Sequence, residues 1–429
     1  MPLTEAAGYL CLMLVLMIPL AIAGLALLNT GLGRARSAAQ SMLGALCILA
    51  VAAVAYVACG FAWQGMAGLP QHSLMIAGKS WGVLGTGPFL LRHLALDGSA
   101  TSLVILFQIF AVSLAAIIPW GAGSDRWRLR AGCAAAAVFA GFTCPLFAHW
   151  VWGGGWLAQL GANYGLGRGF VDAAGAGTLQ VAGGLAALCV VWIAGARHGK
   201  FSATQLPSVF PGHNILYVLF GGLLALLGWI GLNGAGAILF AGIAPGRVAL
   251  VAVNTILCAA GAVLTAVFVT RYRFGKPDAS LSANGWMAGL VASSAICAFV
   301  PPVSALLTGM MTGCAVPFLA ELLELHCGVD DPAGAVTVHA GGGLWGLLAA
   351  GFMGRFGVPM GGQMLAQIVG IATLLGFVLP LTYGVHWLLS RIVPYRVEPE
   401  GERIGMDMHE LGAGAYPEFV IHSEDFFLR

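Results

Sequence analysis

Two stretches decide the fold: "DAAGAGTLQVAGGL", Asp172 to Leu185, and "DPAGAVTVHAGGGL", Asp331 to Leu344. Laid over each other, they share the leading Asp, an Ala-Gly-Ala, a Thr, a Gly-Gly and the closing Leu. At the ninth position Gln180 stands against His339. Each copy opens a long apolar run, and such runs fill most of the chain. Of its residues 59% are hydrophobic and 8% charged, with a mean hydropathy of +0.90. A soluble domain carries about 25% charged residues, so this composition cannot cover a soluble surface. The chain reads as an all-α polytopic membrane protein. Its net charge of +2 carries no signature of a nucleic-acid partner. The ten cysteines are scattered singly through apolar segments, with no metal-binding or redox spacing. No metal or cofactor is expected, and nothing points to an enzyme.

A helix needs roughly 20 apolar residues to cross the hydrocarbon core. Eleven candidate spans follow, at about 8–29, 41–63, 99–121, 131–153, 175–195, 213–239, 247–270, 284–301, 303–325, 334–355 and 363–390. The first is flanked by Glu5 before it and Arg34 and Arg36 after it. That is the reverse of a secretory signal, so a retained helix with its N-terminus outside is expected. An odd number of spans then places the tail, 393–429, in the cytoplasm. Under this reading the inner loops hold Arg34, Arg36, Arg126, Arg128, Arg130, Arg197, Lys200, Arg271, Arg273 and Lys276. The outer loops hold only Lys79, Arg92, Arg168, Arg247 and Arg355. This bias follows the positive-inside rule, although the inner loop from Leu325 to Pro332 is acidic.

The two motif copies open the fifth and tenth spans, so they enter the membrane from opposite sides. That is the pattern of an inverted-topology repeat, whose substrate sites lie near the midplane between the halves. The halves are about 8–195 and 213–355, with a final helix at 363–390, inside a transmembrane domain 1–392. Gln180 and His339 each lie eight residues past an Asp, roughly 12 Å along a helix, where opposed helices would bring them together. A weaker echo joins "GLALLNTGL" (Gly24 to Leu32) to "GWIGLNGAG" (Gly228 to Gly236). The glycines of "GGLLALLGWIGLNGAGA" (Gly221 to Ala237) read as a close helix–helix seam.

An ionisable residue inside a membrane segment marks a functional site by default. His339 fits that description and can exchange a proton near neutral pH, whereas Gln180 can only hydrogen-bond. Asp172 and Asp331 stand at helix starts, where a carboxylate caps free N–H groups. For Asp172, beside Trp152 in "HWVWGGGW", attraction of an external cation is a further expectation, since aromatic faces hold cations. Trp150 and Trp156 of that cluster read as interfacial anchors.

In order along the chain, "AGLALLNTGLGRAR", "FAHWVWGGGW", "DAAGAGTLQVAGG", "GWIGLNGAG", "VNTILCAAGA", "GKPDASLSANGWMAGLVA", "VDDPAGAVTVHAGGG" and "GMDMHELGAGAYPEF" together resemble the ammonium transporter (Amt/Rh) family. The resemblance covers nearly the whole chain. It implies a homotrimer in the cell membrane whose subunits are eleven-helix inverted repeats, each with a narrow apolar pore for ammonium, ammonia or methylammonium. It also implies a cytoplasmic tail, with Arg403 to Met408 and His409 to Tyr416 packed beneath the bundle, that affects docking of PII-type nitrogen-signalling proteins. Trp152 falls on the external recruiting site, Asp172 on the acidic residue near it, Phe110 on the outer gate phenylalanine and His339 on the second pore histidine. Asn233 belongs to the helix-six pore motif. Three positions depart from the pattern: Gln180 replaces the first histidine, Leu232 the inner gate phenylalanine and Gly236 the recruiting-site serine. The expectation is slow ammonium transport, with deprotonation near the outer recruiting site and a modified Gln180/His339 pore pair, and relaxed selectivity against potassium. A sensor that binds but hardly transports and a channel for another small neutral molecule are the alternatives. Against the sensor, no output domain follows the last span, so the tail would have to signal through a partner.

Overall fold

A computed structural model of the chain describes residues 3–201 and 206–416. Among them, ten helices are long and apolar enough to cross a membrane. These are α1 (Glu5–Leu32), α2 (Ala35–Gln64), α3 (Ala100–Ala122), α4 (Leu129–Val151), α5 (Ala176–Ala194), α6 (Ile215–Ala241), α7 (Pro245–Phe274), α9 (Pro302–His326), α10 (Val336–Met353) and α11 (Met360–Ile392). Between α7 and α9 lies α8 (Ala279–Ile296), whose apolar run is diluted by Ser282, Asn284, Ser293 and Ser294. It begins five residues before the expected 284–301, because the Asp278 side chain caps it by accepting from Leu281 N at 2.8 Å.

Small residues set the packing. An added Cβ at Gly24, Gly221 or Gly228 would run into the backbone of the partner helix, so α1 and α6 lie in direct backbone contact. Gly309 and Gly313 bring α9 equally close to α7. Without a hydrophobic drive between helices in lipid, such close approach is what dispersion and weak polar contacts need. The seam expected of Gly221–Ala237 is this α1–α6 contact.

A hairpin that the sequence reading did not anticipate, β1 (Gln71–Ile76) and β2 (Lys79–Gly85), sits between α2 and α3. Its two-residue turn, Ala77-Gly78, has positive φ at both positions, as right-handed strand twist prefers. The hairpin covers the tryptophan cluster: Trp150 Nε1 donates to Val83 O at 2.8 Å, and Trp156 N donates to Gly82 O at 2.9 Å. Trp150 is therefore buried under the hairpin.

On the opposite face the tail packs against helix starts. Asp407 accepts from Gln40 N at 2.8 Å and Ala39 N at 3.1 Å, and Glu410 accepts from Leu129 N at 3.0 Å. Acidic side chains thus cap α2 and α4, where free N–H groups and the helix dipole favour them. Residues 417–429 of the expected tail lie outside the described residues.

Candidate functional site

The two motif copies take the same local conformation for the same reason. Gly175 and Gly334, at the fourth position of each, have φ of +97° and +67°. Only glycine adopts this region without strain. The chain then turns into a wide π-helical segment, Ala176–Val181 in one copy and Val336–Gly341 in the other. Wide turns of this kind recur elsewhere in the chain, at Tyr56–Gly60 and Phe139–Thr143 for example; in the two motif copies they carry the paired polar residues. Gln180 and His339 sit inside them, both buried. His339 Nδ1 lies 2.7 Å from Gln180 Oε1. With the Gln180 amide in this orientation its oxygen can only accept, so Nδ1 is the donor and a neutral ring keeps its lone pair on Nε2. Gln180 Nε2 finds no partner among the described protein atoms.

Beyond His339, toward Asp331, a cavity of about 10 Å³ is lined by Asn29, Asn284, Met287 and His339. It has room for roughly one water-sized molecule. Asn29 Nδ2 and Asn284 Oδ1 are buried without a protein partner. Nothing in the sequence reading singled out these asparagines, although the Asn29–Asn233 echo was a signal for the first. Asn233 itself cross-links helices, its Nδ2 donating to Thr255 Oγ1 at 2.8 Å and Ser293 Oγ at 2.9 Å.

On the other side of the pair lies a wider cavity of about 600 Å³ that Trp152 and Phe240 line. The Trp152 indole Nε1 donates to the Asp172 carbonyl at 2.8 Å. The Asp172 carboxylate turns away from this cavity and is buried. One oxygen accepts from Gly175 N at 3.0 Å; the other accepts from Gly177 N, Thr178 N and Thr178 Oγ1 at 2.8–2.9 Å. Both oxygens are thereby engaged by N–H and O–H groups of the motif, the arrangement of a helix cap. Asp331 caps more sparsely, through Val336 N at 2.7 Å.

The site belongs to a chain with clear relatives. The Ammonium Transporter Family model matches residues 9–416. The chain belongs to the ammonium transporter family. It is 34% identical to the ammonium transporter Amt2 of Archaeoglobus fulgidus over 93% of this chain and 85% of that protein. It is 30% identical to the ammonium transporter of Bacillus subtilis over 96% and 97%. Among solved structures, one titled "Sensor Amt Protein" superposes with a TM-score of 0.85 at 26% identity, over 94% of this chain and 98% of that one. Candida albicans Mep2 shares the fold, with a TM-score of 0.79 at 24% identity over 97% and 91%. These relatives are transport proteins by name, not enzymes.

Within this ammonium-transporter fold, Gly236 has a packing reason. An added Cβ at Gly236 would come within 2.9 Å of Ala174 Cα and Cβ and 3.0 Å of the Ala173 carbonyl. A serine has no room there, because α6 and the Asp172 loop meet at that point. Phe110 is only half-buried and does not join the aromatic group. Phe107, one turn earlier, does: it packs edge-on against Trp152 at 6.3 Å and Phe240 at 5.3 Å. The two phenylalanines of FQIF lie about one turn apart on α3, and it is the turn of Phe107 that reaches the level of Trp152 and Phe240. Leu232 is fully buried in α6.

The sequence reading also passed over a buried ion cluster at the far end of the pair. Arg197, just past α5, binds Asp330 through Nε at 3.0 Å and Nη2 at 2.9 Å, and Asp125 through Nη1 at 3.1 Å. Arg126 donates to the Asp330 carbonyl at 2.7 Å. Burial works against the Asp330 charge, but the Arg197 hydrogen bonds and the charges of Arg126 and Arg197 hold its carboxyl below the ordinary range. The doubled acid of "VDDP" was the available signal. Taken as loop charges, these residues counted only toward topology.

Proposed function

We propose that this chain carries ammonium across a cell membrane, with proton exchange at the Gln180–His339 pair in a narrow apolar path. The carrying observation is the buried 2.7 Å contact between those side chains. A bare cation in the membrane interior costs several kcal/mol, so passage as ammonia requires that a proton be held elsewhere. With Nδ1–H fixed on Gln180, the neutral imidazole presents Nε2 as the one proton acceptor. Gln180 orients it but cannot titrate. Trp152 marks the entrance, and Asp172 holds the loop that pins the indole.

The architecture we infer is an inverted repeat of eleven spanning helices, N-terminus outside and tail inside, assembled as a homotrimer. Supporting the eleventh span, α8 is 18 residues long, about 27 Å at 1.5 Å per residue, and it is largely buried. Supporting the repeat, both motif copies share their left-handed glycine and π-helical turn. The tail contacts on α2 and α4 leave an ordered layer to which a PII-type regulator would dock.

Purified protein in liposomes, pulsed with ammonium and then with potassium, tests the transport reading. Slow ammonium-dependent flux is expected; potassium currents of comparable size would mean that the pair no longer enforces passage as ammonia, and the absence of any ammonium-dependent signal overturns the transport reading. Gln180→His, which restores a second imidazole, is expected to raise ammonium flux about tenfold, less than the roughly 10²–10⁴-fold of a positioned proton-transfer group because His339 already supplies one imidazole. Unchanged flux would mean that position 180 does not limit conduction. A second reading, ammonium sensing with little transport, is favoured by the covered face of Trp152 described below and by the likeness to the structure titled "Sensor Amt Protein". Saturable binding without flux would select it.

A further inference from the structure

Trp152 has the chemistry to hold a cation, yet its ring is already occupied. The Phe240 ring stacks on it with centroids 4.2 Å apart and planes 7° from parallel. Phe107 closes the edge, and only 7% of Trp152 is exposed. A cation held by an aromatic face sits within about 6 Å of the ring centroid, and that is where Phe240 lies. Its position follows from the backbone. Gly236 lets α6 touch Ala173 and Ala174, the loop whose Asp172 carbonyl fixes the indole. One turn later Phe240 arrives over the ring, just before Gly242 ends α6 in a left-handed turn with φ +64°. The cavity of about 600 Å³ beside it, lined by Met66, Val104, Leu239 and Ile243, can receive the displaced side chain.

We propose that Phe240 sets substrate affinity at this entrance by covering the cation-binding face of Trp152, so that ammonium binds there only as the Phe240 ring swings into the cavity. This rests on Trp152 being the recruiting residue. Stacked aromatic pairs and cation–π contacts are worth similar amounts, which makes the exchange reversible and the site weak.

The test uses full-length protein, titrated with ammonium chloride while following tryptophan fluorescence in detergent and flux in liposomes. Trp152→Leu identifies the part of the fluorescence signal that belongs to this ring. Phe240→Ala is expected to lower the half-saturating ammonium concentration about tenfold in both assays, with maximal flux changed less than twofold. Phe240→Leu, which keeps more of the packing, shifts it about threefold in the same direction, and Phe240→Tyr retains the original value. An unchanged half-saturation in folded Phe240→Ala and Phe240→Leu overturns the proposal. A fall in maximal flux at constant half-saturation also overturns it, since that is the mark of a packing residue. Absence of any Trp152-dependent signal in all variants does so too. If no variant passes ammonium, the transport reading fails, while the fluorescence titration still decides the role of Phe240.

Discussion

At the first motif copy, both carboxylate oxygens of Asp172 are engaged by N–H and O–H groups of the motif itself. At the second copy, Asp331 holds one backbone N–H through Oδ2, and its Oδ1 is buried without a partner. Its neighbour Asp330 instead reaches outward to Arg197, beyond the end of α5. Both helix starts are thus capped from within, fully in the first copy and more sparsely in the second, where a tie to Arg197 is added from outside the motif. Because α5 carries Gln180, the external tie fastens the two polar residues' helices to each other. The pair's geometry is fixed at a distance from the pair.

The largest effect should come from cutting that tie. Arg197→Met leaves Asp330 and Asp125 buried with a charge partner missing, and removing one member of a buried ion pair costs about 3–5 kcal/mol. Thermal unfolding in detergent should show a markedly lower midpoint. A variant that melts like the parent would mean the cluster contributes nothing to holding the helices.

Capping separates the copies next. Asp172→Ala strands three backbone N–H groups and the Thr178 hydroxyl, and hydrogen bonds to a buried charge are worth about 1.5–3 kcal/mol each before compensation. A loss of about 3 kcal/mol is expected, against less than about 1 kcal/mol for Asp331→Ala. Equal losses in the same unfolding assay would show that the two carboxylates do equivalent work.

How much of this was legible follows from what each feature depends on. The motif copies, their glycines and the meeting of position 180 with 339 depend on local pattern and repeat spacing, which a sequence displays. Phe107 against Phe110 depends on the rotation of α3 about its axis, which a uniformly apolar run leaves undetermined. The start of α8 lies before the expected 284 because the polar residues Ser280, Ser282 and Asn284 dilute the apolar run by which a span is recognised, while the Asp278 cap starts the helix at Ala279. The Asp125–Arg126–Arg197–Asp330 cluster joins four positions from three separated segments, and no local pattern announces it. The absence of room at Gly236 depends on Ala173 and Ala174, from another part of the chain altogether.

A pH series sharpens the comparison further. Burial raises the Asp331 carboxyl from 3.8 to about 6, whereas Asp330 is held below the ordinary range. A carboxyl that binds its proton more tightly when folded stabilises the fold below about pH 4, and that contribution is lost as pH rises through about 6. Asp331→Asn removes this term and should gain on the parent above pH 6 by on the order of 3 kcal/mol, at 1.36 kcal/mol per pKa unit. Asp330 has the opposite sign, its contribution present at neutral pH and lost in acid, so Asp330→Asn should cost stability above pH 4. If the difference between Asp331→Asn and the parent does not grow as pH rises from 4 to 7, the carboxyl at 331 is not buried as described.

The smallest effect on stability, and the most direct on the pair, should come from exchanging its members in the double variant Gln180→His with His339→Gln. A histidine at 180 can still donate to a glutamine carbonyl at 339, so the hydrogen bond survives and unfolding should shift by less than about 1 kcal/mol. What changes is the side on which the titratable ring stands. His339, and not Gln180, adjoins the small cavity with Asn29 and Asn284, so the exchange moves the proton-accepting nitrogen away from those amides. Ammonium flux in liposomes should therefore fall about tenfold while folding is preserved. Equal flux in the exchanged protein would make the two copies interchangeable at their centre, and the asymmetry at position nine would then carry no function.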